Sequence, residues 1–186
     1  MRVVGGRFKG RSIRTCEGPG YRPATMKVRE SVFSMLAARG VDFSTARVVD
    51  MFAGSGSLGI ECLSRGAPLV WFIEKSPRAA ALIRSNLADF GVDKSRARVV
   101  SRDVFMVLSS PPQAPFDLVF IDPPYGRDLL VPTLDMALAS GWIAPGGFLL
   151  VEVEASVSAP ATGPVAGLEL VTDREYGQTR IILWRN

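Results

Sequence analysis

The chain contains no histidine among its 186 residues. That absence removes the commonest general base, the commonest metal ligand and the middle member of a Ser-His-Asp triad, so triad-based acyl transfer and zinc-dependent hydrolysis are disfavoured. Cysteine is almost as scarce. Cys16 and Cys62 stand far apart with no CxxC spacing, which argues against a disulfide framework or a zinc site and leaves both as small apolar residues. No apolar run approaches the roughly 18 to 20 residues that cross a bilayer. The N-terminal MRVVGGRFKGRSIR is basic but lacks the apolar stretch of a signal peptide. A cytoplasmic protein with neither membrane nor metal partner is expected, working through positioning, hydrogen-bond acceptors and an already reactive cofactor.

With 47% hydrophobic residues, the chain can fill the core of one domain with a small appendage. Its charge is concentrated at the front. Residues 1–30 hold Arg2, Arg7, Lys9, Arg11, Arg14, Arg22, Lys27 and Arg29 against Glu17 and Glu30, a net of +6 where the whole chain carries +4, so the remainder is net −2. Such a footprint suits a polyanion, although solvated charges on an arm have the same composition. Gly5, Gly6 and Gly10 separate the runs RVV and RSIR, which predicts a hairpin with Arg7, Phe8 and Lys9 at a basic turn and Phe8 exposed. A hairpin of that kind suits RNA and DNA equally.

The stretch ATMKVRESVFSMLAARG places Val28, Val32, Met35 and Leu36 on one helical stripe, with Thr25 as N-cap and Gly40 as stop. From residue 46 strand and helix patterns alternate through LVWFIEK, PRAAALIRSNLADFGV, FDLVFID and LLVPTLDMALASGW to GGFLLVEVE. The expected fold is α/β: a mostly parallel twisted sheet with helices on both faces. The rhythm changes in LELVTDREYGQTRIILWRN, where two strand-like runs meet around Tyr176-Gly177 and predict an antiparallel hairpin at one sheet edge. The proline-bearing segment 156–167 is too short to divide domains. The expected organisation is a basic hairpin and helix over 1–40 and a Rossmann-like domain over 41–186.

Ligands of such sheets bind at the carboxyl ends of the strands. In DMFAGSGSLG, Gly54, Gly56 and Gly59 spell GxGxxG between a strand and a helix, which lets a cofactor approach the backbone and aims helix N-terminal N–H groups at it. A tight turn without a ligand has the same spacing. Glu74 ends the next strand 20 residues after Gly54, where an acid grips ribose hydroxyls. Asp103 follows the third strand and suits either an adenine amino group or a plain helix cap. A nicotinamide dehydrogenase shares the glycines and the ribose acid, but Asp50 stands where such enzymes tend to be apolar, and the single short domain offers no substrate half.

Asp50 before FAGSGSLG resembles the S-adenosylmethionine loop of Rossmann-like methyltransferases. The resemblance implies that Asp50, Phe52, Gly54, Ser55, Gly56, Glu74, Lys75, Asp103 and Val104 hold that cofactor. FDLVFIDPPYGRD ends a strand on Asp122-Pro123-Pro124-Tyr125, which resembles the target-amine motif of methyltransferases acting on planar nitrogens. Those nitrogens share their lone pair with a π-system. Two acceptors in fixed directions, Asp122 Oδ and the Pro123 carbonyl, can bind the two amine hydrogens and turn the lone pair toward the methyl donor. Tyr125 offers a stacking ring.

RVVGGRFKGR, YRPATMKVRESVFSML, VVDMFAGSGSLGIECLSRGA and DLVFIDPPY together resemble, over nearly the whole chain, the bacterial methyltransferase family that modifies guanine N2 in small-subunit (16S) ribosomal RNA. The resemblance implies transfer to one flipped loop guanine, on a 30S particle or an assembly intermediate, with catalysis by Asp122, Pro123 and Tyr125. RNA contact would come from Arg7, Lys9, Arg11, Arg22, Thr25, Arg29, Pro124 and Tyr125. The rivals are a DNA adenine-N6 methyltransferase, for which a target-recognition region lacks room, a glutamine-N5 protein methyltransferase, which would not need the basic front, and a non-catalytic RNA-binding assembly factor.

Overall fold

The computed structural model describes residues 1–15, 25–124, 126–155 and 167–186; Cys16, Arg22, Tyr125 and residues 156–166 lie outside the described residues. Helix α1, Met26–Ala38, starts at Thr25, whose hydroxyl accepts from Val28 N at 3.3 Å. Then β1 (Arg47–Asp50), α2 (Ser57–Ser64), β2 (Leu69–Ile73), α3 (Pro77–Asp89) and β3 (Ala97–Val100) alternate, followed by α4 (Val104–Leu108), β4 (Phe116–Ile121), α5 (Leu130–Ala139) and β5 (Ile143–Glu154). Strands β6 (Glu169–Tyr176) and β7 (Thr179–Arg185) follow. Local chemistry sets the starts: Ser76 caps α3 with Pro77 in its first turn, and Asp103 caps α4.

The strands form one sheet in the order β3-β2-β1-β4-β5-β7-β6. β1 to β5 pair in parallel. β7 inserts antiparallel between β5 and β6. The expected hairpin does close one edge, with its second arm on the inside. Strand order reverses between β1 and β4, which opens a crevice at their carboxyl ends. β5 begins three residues before the predicted GGFLLVEVE, because Ile143 already pairs with Phe116 before the register shifts across Pro145-Gly146-Gly147. A Cβ on Gly147 would lie 2.8 Å from the Ala144 carbonyl oxygen, so glycine allows this irregular crossing.

Alternation along the strands builds two cores, both expected of a sheet covered on each face. Val48, Val70, Phe72, Leu118, Phe120 and Leu150 pack under α1, α2 and α3. Val49, Ile73, Val119, Ile121, Leu149 and Val151 pack under α4 and α5. Phe33 of α1 sits against Phe120 with ring centroids 6.1 Å apart. The buried stripe of α1 includes Phe33 and Arg29 beside Val32 and Leu36, while Val28 and Met35 are half-buried at its margin.

Residues 1–15 pack into the first core through Val3, Phe8 and Ile13. Their hairpin is reduced to one Arg2–Ser12 bridge around a 3-10 turn at Gly6–Phe8. The exposed aromatic is corrected: Phe8 is 3% exposed and lies 5.0 Å from the Phe90 ring. Buried polar groups of α2 turn the segment inward. Glu61 Oε2 accepts from Val4 N at 2.9 Å, while Ser64 Oγ accepts from Phe8 N at 2.8 Å and donates to Gly5 O at 2.5 Å. Gly6, at φ 71°, passes so near the Ser64 carbonyl that a Cβ there would lie 2.0 Å from it. Phe8→Ala should therefore lower unfolding stability by about 3 to 5 kcal/mol, read from urea denaturation. Unchanged stability would return Phe8 to the surface role expected from sequence.

Candidate active site

The glycine loop is fastened by one side chain. Glu74, leaving β2, accepts from Gly54 N at 2.8 Å through Oε2 and from Ser76 N at 2.7 Å through Oε1. Each oxygen has a second acceptor site, so the carboxylate fixes the loop and can still receive ribose hydroxyls. Gly56 N donates to Ala53 O at 2.6 Å, and Gly56 itself takes the left-handed conformation at φ 77° as N-cap of α2. Gly59 serves packing instead, since a Cβ there would lie 2.3 Å from the Phe72 ring and keep α2 away from β2. Ser55 is buried, with its carbonyl accepting from Asn86 Nδ2 at 3.4 Å.

Beside this loop the apolar stripe of the first face ends in acids. In β1, Val48 gives way to Asp50; after β4, the series Leu118, Phe120 reaches Asp122; in β5, Leu150 is followed by Glu152. Because Ile121 pairs with Val151 on adjacent parallel strands, Asp122 and Glu152 follow side by side in register. Asp50 and Glu152 are buried, at 2% and 4% exposure, and Asp122 is half-buried at the end of the strand between them. Among the described residues no ion pair joins Asp50, Asp122 or Glu152 to a cation. Burial pushes the Asp50 carboxyl up to about 7, with Glu74 adding to the rise and the backbone N–H groups of Gly59 and Phe52 opposing it. Burial also pushes Glu152 up to about 7. Asp122 is raised well above its ordinary value, first by loss of solvent and then by Glu152 and Asp50. Among the described residues, no group of three or more acids or cysteines is arranged to hold a metal ion.

Glu152 belongs to no motif. Its only sign in the sequence is an acid within the apolar run FLLVEVE, two residues from Leu150 on the same strand face.

The remaining candidates are distributed unevenly. Asp103 Oδ1 accepts from Phe105 N at 3.0 Å, so the helix cap is realised. Val104 is buried under that cap, Phe52 packs against the second core, and Lys75 is exposed. Pro123 is buried and Pro124 exposed after β4; Tyr125, like Arg22, lies outside the described residues. Arg7 and Lys9 are exposed on the N-terminal turn. Arg11 is exposed too, but its guanidinium donates to Asp89 O at 2.6 Å and lies 4.5 Å from the Phe90 ring centroid. Thr25 uses its hydroxyl to cap α1.

Arg29 departs from its expected place at an RNA surface. It is 2% exposed and donates from Nη2 to Arg2 O at 2.9 Å, because it falls on the buried stripe of α1. Burial lowers its pKa, while the nearby Glu61 carboxylate opposes that shift. In this position it ties α1 to the N-terminal segment.

Over residues 1–185 the sequence matches the family described as "Conserved hypothetical protein 95". The chain belongs to that family. It is 37% identical over 185 residues to "Ribosomal RNA small subunit methyltransferase D" of Escherichia coli K12, across 100% of this chain and 89% of that protein. It is 34% identical over 187 residues to "Putative rRNA methyltransferase YlbH" of Bacillus subtilis, across 100% of this chain and 98% of that protein. Two solved structures share the fold. "Putative methyltransferase yhhF" from Escherichia coli superposes with a TM-score of 0.84 at 34% identity, covering 100% of this chain and 97% of that one. A putative methylase from Haemophilus influenzae gives 0.83 at 27% identity with the same coverage. The fold is that of Rossmann-like methyltransferases, and the protein is a methyltransferase.

The acid cluster makes this methyltransferase sensitive to pH in a defined direction. Asp50 rises from 3.8 to about 7 on folding, so the folded state retains a proton that the unfolded chain releases. Its contribution to stability is fully present below about 4 and is lost as pH climbs toward 7, where the folded carboxyl ionises as well. Glu152 and Asp122 add falls of the same sign. Asp50→Asn should flatten that decline, followed as Tm against pH between about 4 and 8. An unaltered profile would assign the slope to the other acids alone.

Proposed function

We propose that the protein transfers one methyl group from S-adenosylmethionine to the exocyclic N2 amine of a guanine in 16S ribosomal RNA, within a 30S particle or an assembly intermediate. The observation that carries this reading is the position of Asp122-Pro123 at the β1/β4 crevice, beside the loop that Glu74 ties down. Full-length similarity to a relative named for small-subunit ribosomal RNA methylation supports the choice of RNA.

The residues present fit the cofactor. Asp50 Oδ1 is a buried acceptor with no hydrogen-bond partner, suited to the ammonium of the cofactor's amino acid end. Glu74 keeps acceptor sites for a ribose. Gly54, Ser55 and Gly56 offer backbone, with Phe52, Lys75, Asp103 and Val104 around them. When bound, the cofactor supplies an electrophilic methyl on a positively charged sulfur, which three acids with no cation paired to them among the described residues would welcome.

Asp122 and the Pro123 carbonyl accept from the two hydrogens of the planar amine and orient its lone pair. Tyr125 and Pro124 flank the flipped base, the ring contributing about 1 to 3 kcal/mol by stacking. Residues 1–40 form the RNA-contacting extension of the catalytic unit 41–186. Arg7 and Lys9 are the most available phosphate contacts, because Arg11 already serves the α3 end; Arg22 and Thr25 are assigned to the same RNA contact.

Labelled cofactor offered with 30S particles, naked 16S RNA, DNA or protein, followed by nucleoside and residue analysis, should yield N2-methylguanosine. N6-methyladenine or methylglutamine would refute the assignment. Asp122→Ala should reduce transfer by at least about a hundredfold, the scale of losing a positioned acid–base group, with cofactor affinity within a few-fold. Tyr125→Ala should lose more activity than Tyr125→Phe. Lys9→Ala should weaken RNA binding and reduce its salt slope by about one; an unchanged slope would make the turn a solvated surface.

A further inference from the structure

Placing two carboxyl groups side by side, one buried and one half-buried, with no cation paired to them among the described residues, costs free energy if both are charged, and ordinary packing could have placed leucine at either position. Glu152 is 4% exposed in the middle of the sheet, one strand beyond the proposed target-amine site. The pairing of Ile121 with Val151 brings Asp122 and Glu152 alongside each other.

Among the described residues, the groups around Glu152 do not supply a counter-charge. On β7 its register partner is the buried Ile181. The neighbouring Arg180, opposite Val153, is committed to Asp173 at 2.5 Å. On α1, Phe33 covers Phe120, and Arg29, the cation on that buried face, is held by Arg2 O near Glu61. Beyond β4 stand two more acids, Asp50 and then Glu74. A divalent ion does not account for the cluster either, since the described acids are not arranged to hold one. Two adjacent acids in that setting satisfy each other by keeping a single proton, as closely spaced carboxyl pairs do.

We propose that Glu152 is a positioning residue for Asp122: the two carboxyl groups hold one proton between them, and Glu152 takes it when the target amine meets Asp122, so that Asp122 presents a carboxylate to the amine and accepts the proton that the amine loses. The inference rests on the planar-amine reading above. In the balanced step, the amine nitrogen gains the methyl carbon and gives up one proton, and the sulfur leaves as a neutral thioether. The nitrogen's proton passes to the pair, which becomes doubly protonated and then returns one proton to solvent. Glu152 never touches the substrate; it sets the charge and orientation of the residue that does.

Two measurements separate this arrangement from a merely structural glutamate. In the ligand-free protein, carboxyl 13C NMR should show Asp122 and Glu152 titrating in two coupled steps, with Glu152 near 7. Asp122→Asn should then leave Glu152 titrating in a single step, still raised by its burial. In the methyl-transfer assay, Glu152→Gln should shift the acid limb of kcat to higher pH, since glutamine cannot take the proton from Asp122, while KM for the cofactor stays within about threefold. A Glu152 that titrates near 4.5 in the folded protein would overturn the proposal. So would an acid limb that keeps its midpoint while activity falls equally at every pH. Coupled titration without N2-methylguanosine formation would instead leave the pair standing and remove the assigned substrate. Should Glu152→Gln fail to fold, the wild-type and Asp122→Asn titrations still decide the matter.

Discussion

Three carboxyl groups lie at one end of one face of the sheet, with no cation among the described residues paired to them. An isolated buried charge is among the least tolerable things a protein can contain, and such groups change protonation rather than remain ionised. Everything that makes the crevice exists in relation to that constraint. Parallel pairing of β1, β4 and β5 brings the three strand ends together, and alternation sends Asp50, Asp122 and Glu152 to the same face. Elsewhere both faces are filled with aliphatic and aromatic side chains, whose burial offsets the unfavourable cluster.

The N-terminal segment obeys the opposite rule. Its buried polar groups nearly all find partners: Glu61 serves Val4 N and Arg65, Ser64 serves Phe8 N and Gly5 O, and Asn86 both accepts from Arg14 N and donates to Arg14 O. That segment is thereby locked onto α2 and α3, and its outward cations Arg7 and Lys9 have a rigid base. The contrast is informative. At the crevice Asp50 Oδ1 is a buried acceptor without a partner and suits a ligand, whereas the other unpartnered buried atoms among the described residues, Arg29 Nε and Nη1, lie on α1 inside the scaffold.

The sheet could be read from sequence because fully buried parallel strands give short apolar runs, and their helices are announced by Ser76-Pro77, Asp103 and Thr25. Asp50, Glu74 and Asp122 were legible for a related reason: each sits at a strand terminus close to glycine, serine or proline, where local chemistry is unusual. Phe8, Arg29 and Glu152 were not. Their placement depends on partners 56 residues away in the Ser64 bond to Phe8 N, or 27 away in the Arg29 bond to Arg2 O, or on the neighbouring strand that β5 meets. An arginine on a helix or a glutamate in a strand carries no local mark of burial, and composition assigns both to the surface.

The missing histidine acquires a physical meaning in this setting. The proposed transfer to a planar amine would release a proton near neutral pH, where an ordinary carboxylate is a weak acceptor and an imidazole would be well matched. Burying Glu152 beside Asp122 moves carboxyl chemistry into that range, with Glu152 at about 7. The same burial would end the usefulness of a single acid, because that acid would simply stay neutral; with two, one can be charged while the other is not. A pair would thus combine the two properties the proposed step requires, a negative acceptor that orients the amine and an affinity for protons suited to neutral water. The sheet sets the two acids together through the parallel register of β4 and β5, so the proposed proton acceptor follows directly from strand pairing.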